Sequence, residues 1–167
     1  MSQKIAVVGA GFIGRSWAMV FSKAGHHVSL YDIDPAALSE AMNLSEINLA
    51  DLESNGLISS KDDLLGRIQP YKTLEGAVEE AEWVQENALE NVQIKRELFS
   101  RMDELLPETT ILASSTSAIS CSDISNGMKG AGRIIVAHPA NPPYLLPIVE
   151  LSGAPETKDE TIIRAKE

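Results

Sequence analysis

Three glycines spaced Gly9-x-Gly11-x-x-Gly14 stand between an apolar run, Lys4-Ile-Ala-Val-Val8, and a segment with Ile13, Trp17, Val20 and Phe21 on one helical face. Strand, glycine turn and helix in that order leave few folds open. Gly25 stops the helix, and His27-Val-Ser-Leu-Tyr31 follows as a second strand ending at Asp32. The unit has the size of βαβ, about 30 residues. Gly9 allows the tight turn, Gly11 lets a pyrophosphate approach the backbone, and Gly14 lets helix and strand pack closely. The positive end of the helix then faces the phosphates. Asp32, 18 residues beyond Gly14, is placed to accept hydrogen bonds from a ribose 2′-hydroxyl. Its carboxylate would repel a 2′-phosphate and no arginine adjoins it, so the expected cofactor is NAD rather than NADP.

The same alternation continues down the chain. Pro35 opens a helix through Ser54, Asn55-Gly56 closes it, and a short piece at Ser60 to Leu65 completes a helical hairpin over about 35–66. Strands are expected at Arg67–Tyr71, Trp83–Gln85, Thr110–Ala113, Ile134–Ala137 and Ile148–Leu151. Helices are expected at Leu74–Ala81, Val92–Leu105 and Ser120–Ser125, and Glu156–Glu167 reads as a further helix just beginning. The prediction is α/β: a Rossmann-type, doubly wound, mostly parallel sheet with an inserted helical hairpin, in one domain spanning 1–167.

Composition narrows the function classes. The net charge is -10, from 24 acidic and 14 basic residues, and the basic ones are scattered. Such a surface repels a phosphate backbone, so nucleic acid is excluded as a partner. No run approaches the roughly 18 apolar residues of a spanning helix, and no leader pattern precedes Lys4, so a cytoplasmic protein without membrane association is expected. The single cysteine, Cys121, and the three histidines offer no ligand-spaced cluster, and no metal is expected.

His138 closes a strand, where open α/β sheets keep their chemistry, and Glu150 follows after a loop stiffened by Pro142, Pro143 and Pro147. A histidine suits the role of general base, and a carboxylate can orient it. From residue identity alone, the plainer reading is a structurally satisfied histidine beside a solvated glutamate. Ser114-Ser-Thr-Ser117 reads first as a helix N-cap, and Glu90 and Lys95 as solvated charges at a helix start. Trp17 and Trp83 read as packing, and Cys121 as a half-buried small side chain.

Taken together, these segments resemble the N-terminal domain of the L-3-hydroxyacyl-CoA dehydrogenase superfamily, in its λ-crystallin / L-gulonate 3-dehydrogenase branch. The resemblance covers essentially the whole chain. It rests on Val8 to Met19, Leu30-Tyr-Asp-Ile33, Gln85 to Asn91 with Lys95, Ala113-Ser-Ser-Thr-Ser117, and His138-Pro-Ala-Asn-Pro-Pro-Tyr144 through Glu150. Gly-Arg-Ser-Trp-Ala-Met and Asn-Pro-Pro-Tyr are typical of that branch, whereas acyl-CoA members carry His-Phe-Phe-Asn-Pro. The resemblance implies His138 as catalytic base, Glu150 as its orienting partner, Ser117 on the substrate oxygen and Asn141 supporting the site. It implies Asp32 on the adenine ribose, Phe12 and Ile13 at the pyrophosphate loop with Gly9, Gly11 and Gly14, and Glu90 and Lys95 on the nicotinamide side.

The reaction so implied is NAD-dependent oxidation of a secondary alcohol on a small hydroxy acid. The family's following helical domain, through which a homodimer is expected, is absent from this chain. Acyl-CoA members tend to meet the CoA phosphates with basic residues on the hairpin. Here Lys61 stands alone against Glu40, Glu46, Asp51, Glu53, Asp62 and Asp63. A 3-hydroxyacyl-CoA dehydrogenase and a non-catalytic NAD-binding protein stay as alternatives.

Overall fold

The computed structural model describes residues 2–166. Its single sheet has seven strands in the order β3-β2-β1-β4-β5-β6-β7. These are β1 (Lys4–Val8), β2 (His27–Tyr31), β3 (Ile68–Tyr71), β4 (Trp83–Glu86), β5 (Ile111–Ser114), β6 (Ile134–Pro139) and β7 (Val149–Gly153). Neighbouring strands are parallel except for the β6–β7 pair, which is antiparallel. The doubly wound expectation is met.

Among the described residues seven α-helices connect and cover the strands: α1 (Phe12–Lys23), α2 (Pro35–Ser54), α3 (Lys61–Leu65), α4 (Leu74–Val78), α5 (Val92–Leu105), α6 (Cys121–Ser125) and α7 (Asp159–Ala165). Strand side chains alternate between faces. Ile5 and Val7 pack with Trp17, Leu38, Leu49 and Leu64 under α1–α3, whereas Ala6 and Val8 pack with Val78, Phe99, Met102 and Ile124 under α4–α6. The hairpin's second arm is only the five-residue α3, folded against α1 and α2.

Local signals set most ends. Asp34, Ser60, Thr73, Asn91 and Ser120 each cap a helix by accepting a backbone N–H two or three residues on. Several expected boundaries shift, those of β3, β4, β5, α3 and α6 by a single residue, while β7 ends at Gly153 rather than Leu151. Helix α4 stops at Val78 rather than Ala81, because Glu79 leaves helical geometry and Glu80 adopts a φ of 61°. Strand β6 runs on through His138 and Pro139, because β7 pairs back along it as far as Val149. Helix α7 starts at Asp159 rather than Glu156.

Candidate active site

The strand order reverses between β1 and β4, and the crevice outside their carboxyl ends is where such sheets take a ligand. Gly9 turns there with a φ of 94°, its α-carbon so close to β4 that a Cβ would lie 2.7 Å from the Asn87 carbonyl. Gly14 presses α1 onto that turn. Helix α1 begins at Gly11 with no side-chain cap and no acid in its first turn, unlike the five side-chain-capped helices. Its leading N–H groups are left for an anion. Asp32 holds the turn from the other side: Oδ2 accepts the Ala10 N–H at 2.6 Å and Oδ1 the Asp34 N–H at 2.9 Å. Each oxygen keeps a lone pair for a ribose hydroxyl. Phe12 is exposed and Ile13 half-buried at the helix start. These residues fit a dinucleotide.

Behind the crevice lies a buried charge cluster. Glu86, at the end of β4, is 0% exposed and Lys95, in α5, is 1% exposed. The Lys95 ammonium donates to both Glu86 oxygens, at 2.8 and 3.0 Å, and to the Ala88 carbonyl at 3.3 Å. Glu90 stands 3.6 Å from the same ammonium. Glu90 Oε1 also accepts the Thr116 hydroxyl at 2.5 Å and the Ser117 and Ala118 N–H groups, each at 3.3 Å. The solvated reading of Lys95 is thereby corrected, since α5 opens inward over β4.

Burial pushes the Glu90 carboxyl up, but the Thr116 hydroxyl, the Lys95 ammonium and the two amides outweigh it and hold it below the usual value. A depressed carboxylate adds stability that is present above its unfolded value, near 4.5, and is lost as pH falls through the folded one. Wild type should therefore exceed Glu90→Gln in stability at neutral pH by no more than about 1 kcal/mol, given its exposure to screening. The gap should narrow as pH falls below 4.5 in denaturant titrations across pH, and a constant gap would contradict the assignment.

The hydroxyl run after β5 divides its labour. Ser114 donates to Glu86 Oε2 at 2.5 Å, Thr116 donates to Glu90, and Ser117 is exposed. Ser115 accepts from the Trp17 indole at 3.0 Å and the Gln85 amide at 2.7 Å, and donates to Asn87 Oδ1 at 2.7 Å. Ser120, not this run, caps α6. Cys121 is 3% exposed rather than half-buried, and burial pushes its thiol up, which suits packing and not attack.

At the far side of the sheet, β6 and β7 bring His138 and Glu150 directly opposite each other. His138 Nδ1 lies 3.0 Å from Glu150 Oε2. A carboxylate only accepts, so Nδ1 is the donor of this pair, and in the neutral ring Nε2 carries the lone pair. His138 keeps 36% of its side-chain surface open, enough for a substrate to reach Nε2. Asn141 is exposed three residues on, ahead of a cis peptide bond to Pro142, and Tyr144 tucks the returning loop onto the α1–α2 core.

The structure thus joins His138 to Glu150, Asp32 to the glycine turn, and Glu90 to both Lys95 and the Ser117 backbone. No hydrogen bond among the described residues links Ser117 or Asn141 to His138. Sequence reasoning missed Glu86, Asn87, Ser114, Ser115 and Thr116 as parts of this network. The available signal was the polar triplet Gln85-Glu86-Asn87 ending an otherwise apolar strand.

Comparison with known proteins shows the family. The 3-hydroxyacyl-CoA dehydrogenase, NAD binding domain family matches residues 4–167. A lambda-crystallin homolog of Bos taurus is 40% identical over 163 residues, covering 96% of this chain and 51% of the relative. An L-carnitine dehydrogenase of Streptomyces griseus is 38% identical over 155 residues, covering 93% and 46%. Among solved structures, a 3-hydroxybutyryl-CoA dehydrogenase from Escherichia coli K12 superposes with a TM-score of 0.93 at 30% identity, over 98% of this chain and 35% of that one. The chain spans about half the length of the curated relatives it matches.

Proposed function

Because this chain belongs to the 3-hydroxyacyl-CoA dehydrogenase family through its NAD-binding domain, we propose that it serves NAD-dependent oxidation of the 3-hydroxyl of a small, L-gulonate-like hydroxy acid. His138 handles the proton and Glu150 orients it. The observation that carries the chemistry is the His138–Glu150 contact of 3.0 Å at the carboxyl end of β6. The Nε2 lone pair takes the hydroxyl proton, and the Glu150 carboxylate fixes the ring and stabilises the imidazolium that results. Gly9, Gly11, Phe12, Ile13, Gly14 and Asp32 hold the cofactor's adenine and pyrophosphate end; at the nicotinamide side Glu90 is exposed, and the buried Lys95 supports it from behind. When bound, NAD supplies the two-electron acceptor. Ser117 and Asn141 are assigned to the substrate oxygen.

The hairpin supports a small substrate over a CoA thioester. Its one basic side chain, Lys61, sits 2.9 Å from Glu46 and 3.6 Å from Asp62. The hydrogen bond it donates to Glu46, with that carboxylate's charge, holds the ammonium above the ordinary lysine value and leaves no uncompensated positive charge for a CoA phosphate. A relative named for carnitine, itself a small 3-hydroxy carboxylate, points the same way. The likeness to 3-hydroxybutyryl-CoA dehydrogenase favours the second reading, an acyl-CoA substrate.

The test is NAD reduction by the longest native form of the polypeptide, with L-gulonate, L-carnitine and 3-hydroxybutyryl-CoA in parallel. Turnover of a free acid at least about tenfold above the thioester, one factor of ten being about 1.4 kcal/mol in the barrier, is expected. The reverse order overturns the small-acid assignment. Light scattering on the same material checks the expected homodimer.

A further inference from the structure

We propose that Glu86 is a positioning residue of the cofactor site, acting through the Lys95 ammonium to fix the 87–91 loop, an inference that rests on the NAD-binding reading above. Glu86 is wholly buried, and its carboxylate takes the Ala88 N–H at 2.6 Å, the Ser114 hydroxyl at 2.5 Å and the Lys95 ammonium on both oxygens. An ammonium has three N–H donors. Those of Lys95 face Glu86, the Ala88 carbonyl and, at 3.6 Å, Glu90. With 1% of its side-chain surface exposed, Lys95 has no donor to spare in this arrangement.

What the pair does is hold backbone. Ala88 is gripped at both its N–H and its carbonyl, so the exposed Leu89 and Glu90 that follow are carried on a fixed stem. Glu90 passes the constraint to the Ser117 and Ala118 amides, and Asn87 abuts the Gly9 turn on the other side. The glycine turn, the nicotinamide-side loop and the loop bearing Ser117 thus meet over one buried ion pair. A buried ion pair is a poor source of net stability, because desolvation consumes most of the attraction. Its distinctive contribution is placement.

The experiment is an NADH titration by fluorescence, run beside thermal melts, on wild type, Glu86→Gln, Lys95→Met, the double variant and Ser114→Ala. Each titration is made at a temperature where circular dichroism shows the variant folded. Glu86→Gln is expected to raise the Kd for NADH about tenfold, and in the Lys95→Met background the same change should add less than about twofold. Ser114→Ala removes one bond to Glu86 without unpairing a charge, and should raise the Kd about threefold with a modest fall in Tm.

Folded Glu86→Gln binding NADH like wild type would overturn the role, as would effects that multiply in the double variant. Should Glu86→Gln not fold, Ser114→Ala decides: a wild-type Kd there also overturns it. A wild-type chain that does not bind NADH removes the cofactor reading itself, a failure distinct from one confined to Glu86.

Discussion

Replacement of His138 by alanine should lower turnover by about 10²–10⁴-fold while the Kd for NADH stays within about twofold of the parent. The imidazole stands at the end of β6, two strands away from the β1–β4 crevice. Its only polar partner among the described residues is Glu150. Removing the ring therefore deletes proton transfer without touching the glycine turn, Asp32 or the Glu86 cluster. Glu150→Gln should cost less, since a glutamine oxygen can still accept the Nδ1 proton and hold the tautomer, but it cannot offset the imidazolium charge. A His138→Ala enzyme that keeps wild-type kcat would end the proposal for general base catalysis on this strand.

Gly14→Ala should abolish measurable cofactor binding, raising the Kd for NADH at least about 100-fold, and should also lower the melting temperature, because overpacking costs about 1–3 kcal/mol or more. The added Cβ would lie 1.8 Å from the Gly9 carbonyl oxygen and 2.9 Å from its carbon, both backbone atoms. Neither can move without displacing the β1 turn on which the pyrophosphate site depends. Gly11→Ala is the informative contrast. Nothing lies within 4 Å of a Cβ at that position, so stability should stay unchanged while NADH affinity falls. If the melting temperature drops equally in both variants, Gly11 is a structural glycine and the assignment of backbone approach to a phosphate fails.

The elements read correctly to the residue are those whose limits are local. Strand β1, helix α2 between Pro35 and Ser54, and helix α5 between Asn91 and Leu105 were all legible from periodicity bounded by proline, glycine and asparagine. Where a limit depends on a distant partner, the reading fell short. His138 and Pro139 belong to β6 only because β7 returns antiparallel beside them, a pairing that no signal within either segment records. Lys95 looked like a solvated helix charge because its counter-ion, Glu86, lies nine residues back on the preceding strand. The four hydroxyls of Ser114–Ser117 looked alike for the same reason, yet the first three have separate partners, from β4, from α1 and from the loop after β4.

Fold class was legible in the β/α alternation along the chain, and the cofactor in the glycine turn and Asp32, because that signal rests on residue type within about 30 consecutive positions. Only the tertiary structure shows that the buried Glu86 and Lys95 hold the backbone at Ala88 and that Glu150 lies in register with His138. Both depend on which strands become neighbours, and strand order is set by packing the whole chain, not by any segment of it.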